Sequence, residues 1–103
     1  MKSCITCGMP FEGNHAGDVG MELPEGSVCK FDSENGVLKS PQEIFNGGVE
    51  FFTNAVASSD RELGERLTRK NMKALAYWQA HPFEELVGAE ATDEEFQNAM
   101  AKL

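Results

Sequence analysis

Long apolar runs are missing from this chain of 103 residues, in which no run exceeds a few residues. A helix that crosses a bilayer needs about 20 mainly apolar residues in succession. The opening residues, Met1 to Cys4, also lead into no apolar segment of the kind that begins a secretion signal. We therefore expect a cytoplasmic protein without a membrane partner.

Basic residues are scarce, because nine Lys and Arg stand against 17 Asp and Glu and give a formal net charge of −8. Phosphate contacts need a surplus of positive charge, so this composition disfavours nucleic acid as a partner. One local exception is a set of four basic residues that share one face of a predicted helix: Arg66, Arg69, Lys70 and Lys73. Glu62 and Glu65 stand four residues before two of them, where ion pairs form. We interpret this face as solvated, with a binding patch as the alternative.

Cysteine is also sparse, with three residues at positions 4, 7 and 29. Without a secretion signal these thiols should stay reduced, and an odd number of cysteines cannot all pair with one another. We therefore do not expect disulfide bonds to stabilise the fold. Metal binding and redox chemistry become the functional alternatives. Free cysteines in a core are the structural alternative.

The character of the chain changes near residue 40. Residues 1–40 are rich in glycine and turn residues and show no helical period, which predicts short antiparallel strands. Asn35-Gly36, directly before Val37-Leu38, is a typical dipeptide of a tight hairpin turn. A module of about 40 residues usually cannot bury enough apolar surface to fold without a disulfide, a metal or a neighbouring domain.

Residues 41–103 contain three helix starts. Ser40-Pro41-Gln42-Glu43 supplies an N-cap, a proline at the first helical position and the glutamate of a capping box. An apolar stripe at helical spacing follows, and we expect it to face a core: Phe45, Val49, Phe52 and Val56, widened by Ile44 and Phe51. Gly47-Gly48 weakens this helix and indicates a close approach of another backbone.

The second helix is predicted to start at Ser59-Asp60-Arg61-Glu62, to include Trp78 and to end at His81-Pro82. The short link places it antiparallel to the first helix. Thr92-Asp93-Glu94-Glu95 predicts a short C-terminal helix. The predicted fold class is therefore α+β, with a metal-binding β module at 1–40 and a helical extension packed on it at 41–103.

Cys4-Ile5-Thr6-Cys7-Gly8 has the spacing of a metal-binding knuckle, in which two thiolates at i and i+3 converge on one ion. A redox pair of this spacing would be expected inside a βαβ pattern, which the sequence does not show. Cys29-Lys30-Phe31-Asp32 repeats the knuckle spacing with a carboxylate in the last position. Aspartate oxygen is a known zinc ligand, and its side chain is about as short as that of cysteine.

The identity of the fourth ligand is open at this stage. Asp32 is favoured, and His15 is the competitor because it lies in a glycine-rich loop and would give the commoner Cys3His set. Water or a side chain from a partner is the remaining choice. His81, beside Pro82, is interpreted as a capping or surface residue. The expected cofactor is zinc, with iron as a minority possibility.

The sequence resembles the small zinc-ribbon domain proteins of bacteria and archaea over residues 1 to 80. The resemblance rests on Cys4-x-x-Cys7-Gly8-Met9-Pro10, Cys29-Lys30-Phe31, Asn35-Gly36-Val37-Leu38-Lys39 and the position of Trp78. Members usually have a second full C-x-x-C, whereas this chain has Asp32 in place of the last cysteine. The resemblance implies a zinc-ribbon-like module and a metal site, and little about activity.

The functional prediction is a non-catalytic interaction or regulatory module with a structural zinc site. The sequence contains no Ser/His/Asp, Cys/His or phosphate-loop arrangement beside the cysteines. The alternative is a metal-dependent enzyme, or a metal or redox sensor, with an open fourth coordination position. We expect a protein partner or a homodimer through the helical faces. The helices carry more apolar side chains than their own packing needs. The extra ones would cover the ribbon or form this contact, particularly Phe51, Phe52 and Trp78.

Overall fold

The computed structural model describes residues 2–103, so residue 1 of the predicted 1–40 module lies outside the described part. Within it, four short strands precede four helices, which confirms the α+β prediction. The strands are β1 (Val19–Leu23), β2 (Gly26–Cys29), β3 (Ser33–Glu34) and β4 (Val37–Leu38). The helices are α1 (Pro41–Ala55), α2 (Arg61–Lys73), α3 (Ala76–Ala80) and α4 (Asp93–Ala101).

The strands form two separate antiparallel hairpins, β1 with β2 and β3 with β4. Asn35 and Gly36 connect β3 to β4 with φ angles of 52° and 76°, as a tight hairpin turn requires. The predicted turn is confirmed. A single bridge between Ser3 and Pro10 closes the loop that carries the first two cysteines. We refer to residues 2–39 as the ribbon.

Helix α1 starts as predicted. The Glu43 amide donates to Ser40 Oγ at 3.2 Å, and both halves of the capping box are formed. The predicted stripe is buried, including Ile44, but Phe51 is 52% exposed and does not contribute to the core.

Helices α1 and α2 pack closely because each presents a glycine to the other. A Cβ atom added at Gly64 would lie 3.1 Å from the Val49 carbonyl oxygen and even closer to Thr53 Oγ1. A Cβ atom at Gly48 would lie 2.9 Å from Thr68 Cγ2. The sequence predicted a close approach of another backbone at Gly47-Gly48. The close approach is present at Gly48, but the neighbour is the side chain of Thr68 and not a backbone.

The second helix is shorter than predicted. It is capped by Asp60, whose Oδ1 accepts from the Leu63 amide at 3.2 Å, and it ends at Lys73. The backbone is extended at Leu75 (φ −88°, ψ 131°), and α3 then carries Trp78 in a different direction. Neither glycine nor proline stands at this break, so a tertiary contact overrides the local helix propensity. Beyond the break, Trp78 joins the apolar cluster of the helices and its Nε1 donates to the Thr6 carbonyl oxygen of the ribbon.

The basic face of α2 is covered by the C-terminal segment. Arg66 pairs with Glu95 at 2.6 Å, Lys73 pairs with Glu90 at 2.8 Å, and Lys70 pairs with Asp93. Arg69 donates to the carbonyl oxygens of Glu85 and Ala89. The predicted ion pair between Glu62 and Arg66 is present at 3.4 Å, but most partners come from residues that are distant in sequence.

The buried apolar residues form three clusters. One joins α1 to α2, α3 and the 3-10 turn at Glu84–Leu86, and it contains Trp78. A second lies at the other end of α1 and α2 and includes Ala99 of α4. The third belongs to the ribbon and consists of Cys4, Val28 and Cys29, and Leu38 packs against both this cluster and the first. None of the helices in residues 2–103 has the length and apolar character that crossing a membrane requires.

Candidate metal centre

Four potential ligands meet in the ribbon: the thiols of Cys4, Cys7 and Cys29 and the carboxylate of Asp32. Their ligand atoms all lie within 4.8 Å of one another. Cys4, Cys29 and Asp32 are at most 8% exposed, and Cys7 is half-buried. This group could hold a metal ion.

Two turns of the ribbon bring these side chains together. In the first, the Gly8 amide donates to the Cys4 carbonyl oxygen at 2.8 Å, with Gly8 at a φ of 82°, which a residue with a Cβ rarely adopts. In the second, which follows β2, the Asp32 amide donates to the Cys29 carbonyl oxygen at 3.2 Å. The C-x-x-C and C-x-x-D segments therefore each form a turn, and the two turns bring their ligand atoms into one group.

The spacing of the ligand atoms suits a tetrahedral ion. With zinc–sulfur bonds of about 2.3 Å and zinc–oxygen bonds of about 2.1 Å, tetrahedral coordination sets sulfur atoms about 3.8 Å apart and sulfur and oxygen about 3.6 Å apart. Cys7 Sγ lies 3.7 Å from Cys29 Sγ, and Cys4 Sγ lies 3.8 Å from Asp32 Oδ2. These two separations are close to the tetrahedral values, and the other pairs lie at most 4.8 Å apart.

Thr6, between the two cysteines of the first knuckle, orients the carboxylate. It is fully buried, and its hydroxyl donates to Asp32 Oδ2 at 2.7 Å while lying 3.1 Å from Cys4 Sγ. The backbone amide of Cys29 points at Cys4 Sγ at 3.2 Å. Hydrogen bonds of this kind fix ligand direction and stabilise a negatively charged sulfur.

The four groups resist ionising together in the absence of a cation. Burial is the main cause that raises the pKa of Asp32 from 3.8 to about 6, and the hydrogen bond from Thr6 opposes it. Hydrogen bonds from Cys29 and Cys7 lower the pKa of Cys4. Hydrogen bonds to Cys29 and Cys4 raise the pKa of Cys7, so this thiol keeps its proton. The pKa of Cys29 rises to about 12, chiefly through its bond to Cys4. A divalent cation would remove this repulsion.

The two histidines lie outside the group. His15 is in the exposed 3-10 turn Gly13–His15, and its Nδ1 lies 2.8 Å from Asp18 Oδ2. That contact and a 3.1 Å pair with Lys30 lower the pKa of Asp18. His81 follows α3 at the surface, with Nε2 at 3.3 Å from Glu25 Oε2, in keeping with its interpretation as a surface residue.

Helical side chains also contact the first knuckle. Asn71 Nδ2 of α2 donates to the Cys7 carbonyl oxygen, and Trp78 Nε1 of α3 donates to the Thr6 carbonyl oxygen, each at 2.9 Å. The sequence singled out Trp78 but not Asn71 or Thr6. The position of Thr6 inside the C-x-x-C loop was a usable signal, whereas nothing in the sequence distinguished Asn71 from an ordinary polar helix residue.

An open cavity of about 410 Å³ lies between the first knuckle and the helical part of the chain. Its walls include Cys4 and Ile5 from the ribbon, Leu75 and Tyr77 from the helical part of the chain, and the paired side chains of Glu25 and His81. The cavity therefore borders one of the four potential ligands.

Protein-family models, curated proteins and solved structures were compared with the chain, and none of them matches it. The resemblance to small zinc-ribbon proteins stays a prediction that rests on the residues quoted above.

Proposed function

We propose that Cys4, Cys7, Cys29 and Asp32 bind one zinc ion in a zinc-ribbon-like module. The observation that carries this proposal is the group of four ligand atoms within 4.8 Å, with separations of 3.7 and 3.8 Å that match a tetrahedral zinc site. Three sulfurs favour zinc over magnesium or calcium, which prefer oxygen ligands. The buried position of the group supports a closed site that water reaches poorly.

The proposed role of the ion is structural. The apolar cluster of the ribbon contains only Cys4, Val28 and Cys29 as buried members, so two of its three buried residues are themselves ligands. A structural zinc site contributes about 10 to 16 kcal/mol of apparent binding free energy, which is comparable with the whole stability of a domain. The ion would thus supply the stability that the small core lacks.

We further propose that the protein is a non-catalytic interaction or regulatory module. Its partner would be another protein or a second copy of the chain, bound through the helices or the ribbon edge. Exposed apolar side chains on both parts support this, among them Phe51 on α1 and Phe31 and Val37 on the ribbon, each more than half exposed.

Elemental analysis tests the zinc site. Protein purified without added metal should contain about one zinc ion per chain, Asp32→Ala should lose most of it, and His15→Ala should retain it. Each sample is also melted, because loss of the ion should lower the midpoint of unfolding. A wild-type protein that unfolds cooperatively and contains no metal would refute the proposal.

The alternative is an enzyme or a metal or redox sensor with an open fourth position. The observation that favours it is the open cavity of about 410 Å³, which Cys4 helps to line. The absorption spectrum of the cobalt-substituted protein distinguishes the two proposals. A spectrum that azide or cyanide changes supports an open position, and one that they leave unchanged supports four protein ligands.

A further inference from the structure

The first knuckle is held by hydrogen bonds from the helices as well as from the ribbon. Its carbonyl oxygens at Thr6 and Cys7 accept from Trp78 Nε1 and Asn71 Nδ2, each at 2.9 Å. These bonds join residues that are 72 and 64 positions apart in the chain. These two donors therefore link the helices directly to the backbone that carries Cys4 and Cys7.

These carbonyl groups belong to the peptide units that set the direction of the cysteine side chains. The unit after Thr6 carries the amide of Cys7, and the unit after Cys7 carries the amide of Gly8, which donates to the Cys4 carbonyl oxygen. A rotation of either peptide plane would move the sulfur atoms. Because peptide bonds are planar and rigid, fixing each carbonyl oxygen also fixes the amide on the other side of the plane.

The surroundings of these two bonds are closely packed. Trp78 is 2% exposed and Thr6 is fully buried, so water does not replace the indole N–H. Gly8 faces Asn71, where a Cβ atom would lie 3.6 Å from Asn71 Oδ1. The break at Leu75 redirects the chain so that α2 contributes Asn71 and α3 contributes Trp78 to the same knuckle.

We propose that Asn71 and Trp78 are positioning residues of the metal centre, which orient Cys4 and Cys7 through the carbonyl oxygens of Thr6 and Cys7. This inference rests on the proposed metal site. This coupling is reciprocal. If the two hydrogen bonds strengthen metal binding by a given free energy, the bound metal strengthens the docking of α3 by the same free energy. Metal occupancy is then communicated to the helices.

The test compares Asn71→Ala and Trp78→Phe with two controls. Trp78→Phe keeps an aromatic ring and removes the N–H donor. Gln79→Ala removes a side-chain amide that also donates to a carbonyl oxygen, that of Lys73, away from the knuckle. Val56→Ala destabilises the cluster at the far end of α1 and α2 without touching the ribbon.

Two measurements are made on each variant: zinc affinity by competition with a chelating dye, and the absorption spectrum of the cobalt-saturated protein. Affinity alone is ambiguous, because any loss of stability lowers the affinity of a site that forms on folding. The spectrum at saturation reports ligand geometry and does not respond to stability. We expect Asn71→Ala and Trp78→Phe to lose about 10- to 100-fold in zinc affinity and to change the cobalt spectrum.

Gln79→Ala and Val56→Ala should keep the wild-type cobalt spectrum, whatever they do to the melting temperature. Unchanged spectra for both Asn71→Ala and Trp78→Phe, in a wild-type background that binds cobalt, would overturn this inference and leave the zinc site standing. A wild-type protein that binds neither metal would overturn the proposed function and the inference with it. If Trp78→Phe fails to fold, Asn71→Ala decides the question, since Asn71 is only partly buried.

Discussion

Replacing Asp32 with asparagine should raise the stability of the metal-free protein and reduce the stabilisation that zinc adds. Asparagine has nearly the same shape, and its amide oxygen can still accept the 2.7 Å hydrogen bond from Thr6. What is lost is the negative charge. In the metal-free protein this charge is buried beside three thiols, and in the zinc-bound protein it faces the cation.

The size of the metal-free effect follows from the pKa of Asp32, which burial raises from 3.8 to about 6. At pH 7 the carboxylate is ionised in both the folded and the unfolded states, so the shift costs the folded state about 3 kcal/mol. Asp32→Asn removes this cost. The metal-free variant should therefore be more stable than the metal-free wild type at neutral pH, by up to about 3 kcal/mol.

The effect has a defined pH window. Because the folded-state pKa of Asp32 is the higher one, its protonation stabilises the fold below the unfolded value near 4, and this contribution disappears as the pH rises through 6. Lowering the pH from 7 to 5 should stabilise the metal-free wild type relative to Asp32→Asn by about 1 kcal/mol. The advantage of the variant should shrink accordingly.

With zinc this advantage should shrink. A neutral amide oxygen is a weaker ligand than a carboxylate, so we expect at least a tenfold loss of zinc affinity, which is about 1.4 kcal/mol. The assay is urea unfolding followed by far-UV circular dichroism and by the fluorescence of Trp78, with excess chelator and at one fixed free zinc concentration. The gain in stability on adding zinc should be smaller for Asp32→Asn than for wild type.

Two results would refute this reasoning. If Asp32→Asn lowers the stability of the metal-free protein at pH 7, the buried carboxylate is not a cost. If the stabilisation by zinc is the same in both proteins, Asp32 does not bind the ion.

Two further substitution tests address the knuckle and the helix pair. Thr6→Val removes the hydroxyl that holds Asp32 Oδ2 and should lower zinc affinity about 10- to 100-fold. Thr6→Ser keeps the hydroxyl and should stay near wild type; equal affinities for the two variants would count against the role of this bond. Gly47→Ala meets no atom within 4 Å and should raise the free energy of unfolding by up to about 1 kcal/mol. Gly64→Ala would crowd the Val49 carbonyl oxygen and should lower it by about 1 to 3 kcal/mol, so a stabilised Gly64→Ala would refute the described helix contact.

The features that the sequence predicted well depend on neighbouring residues. The starts of α1 and α4 follow from capping boxes at Ser40 and Thr92, which are complete within four residues. The Asn35-Gly36 turn follows from the positive φ angles that these two residue types tolerate. The cysteine spacing similarly predicted which side chains converge, and the structure brings Asp32 into the same group.

The features that the sequence did not predict depend on contacts between distant residues. The break at Leu75 has no glycine or proline beside it, and the chain beyond it carries Trp78, whose Nε1 donates to the Thr6 carbonyl oxygen of the ribbon. The partners of the basic face on α2 in the C-terminal segment lie 16 to 29 residues away, and a helix-local rule finds only the Glu62 pair. His15 was a reasonable ligand by residue type, but the loop that carries it directs its ring to Asp18.

The unequal cores of the two parts suggest how the chain would respond to loss of metal. The helices share two apolar clusters with six buried members each, whereas the ribbon has three buried members, two of which are cysteines. Without an ion the ribbon loses its main stabilising group and the helices do not. Metal loss should therefore loosen the ribbon first and reach the helices where the two parts meet, at Leu38 and Trp78. Because Trp78 is the only tryptophan, its fluorescence reports this step directly.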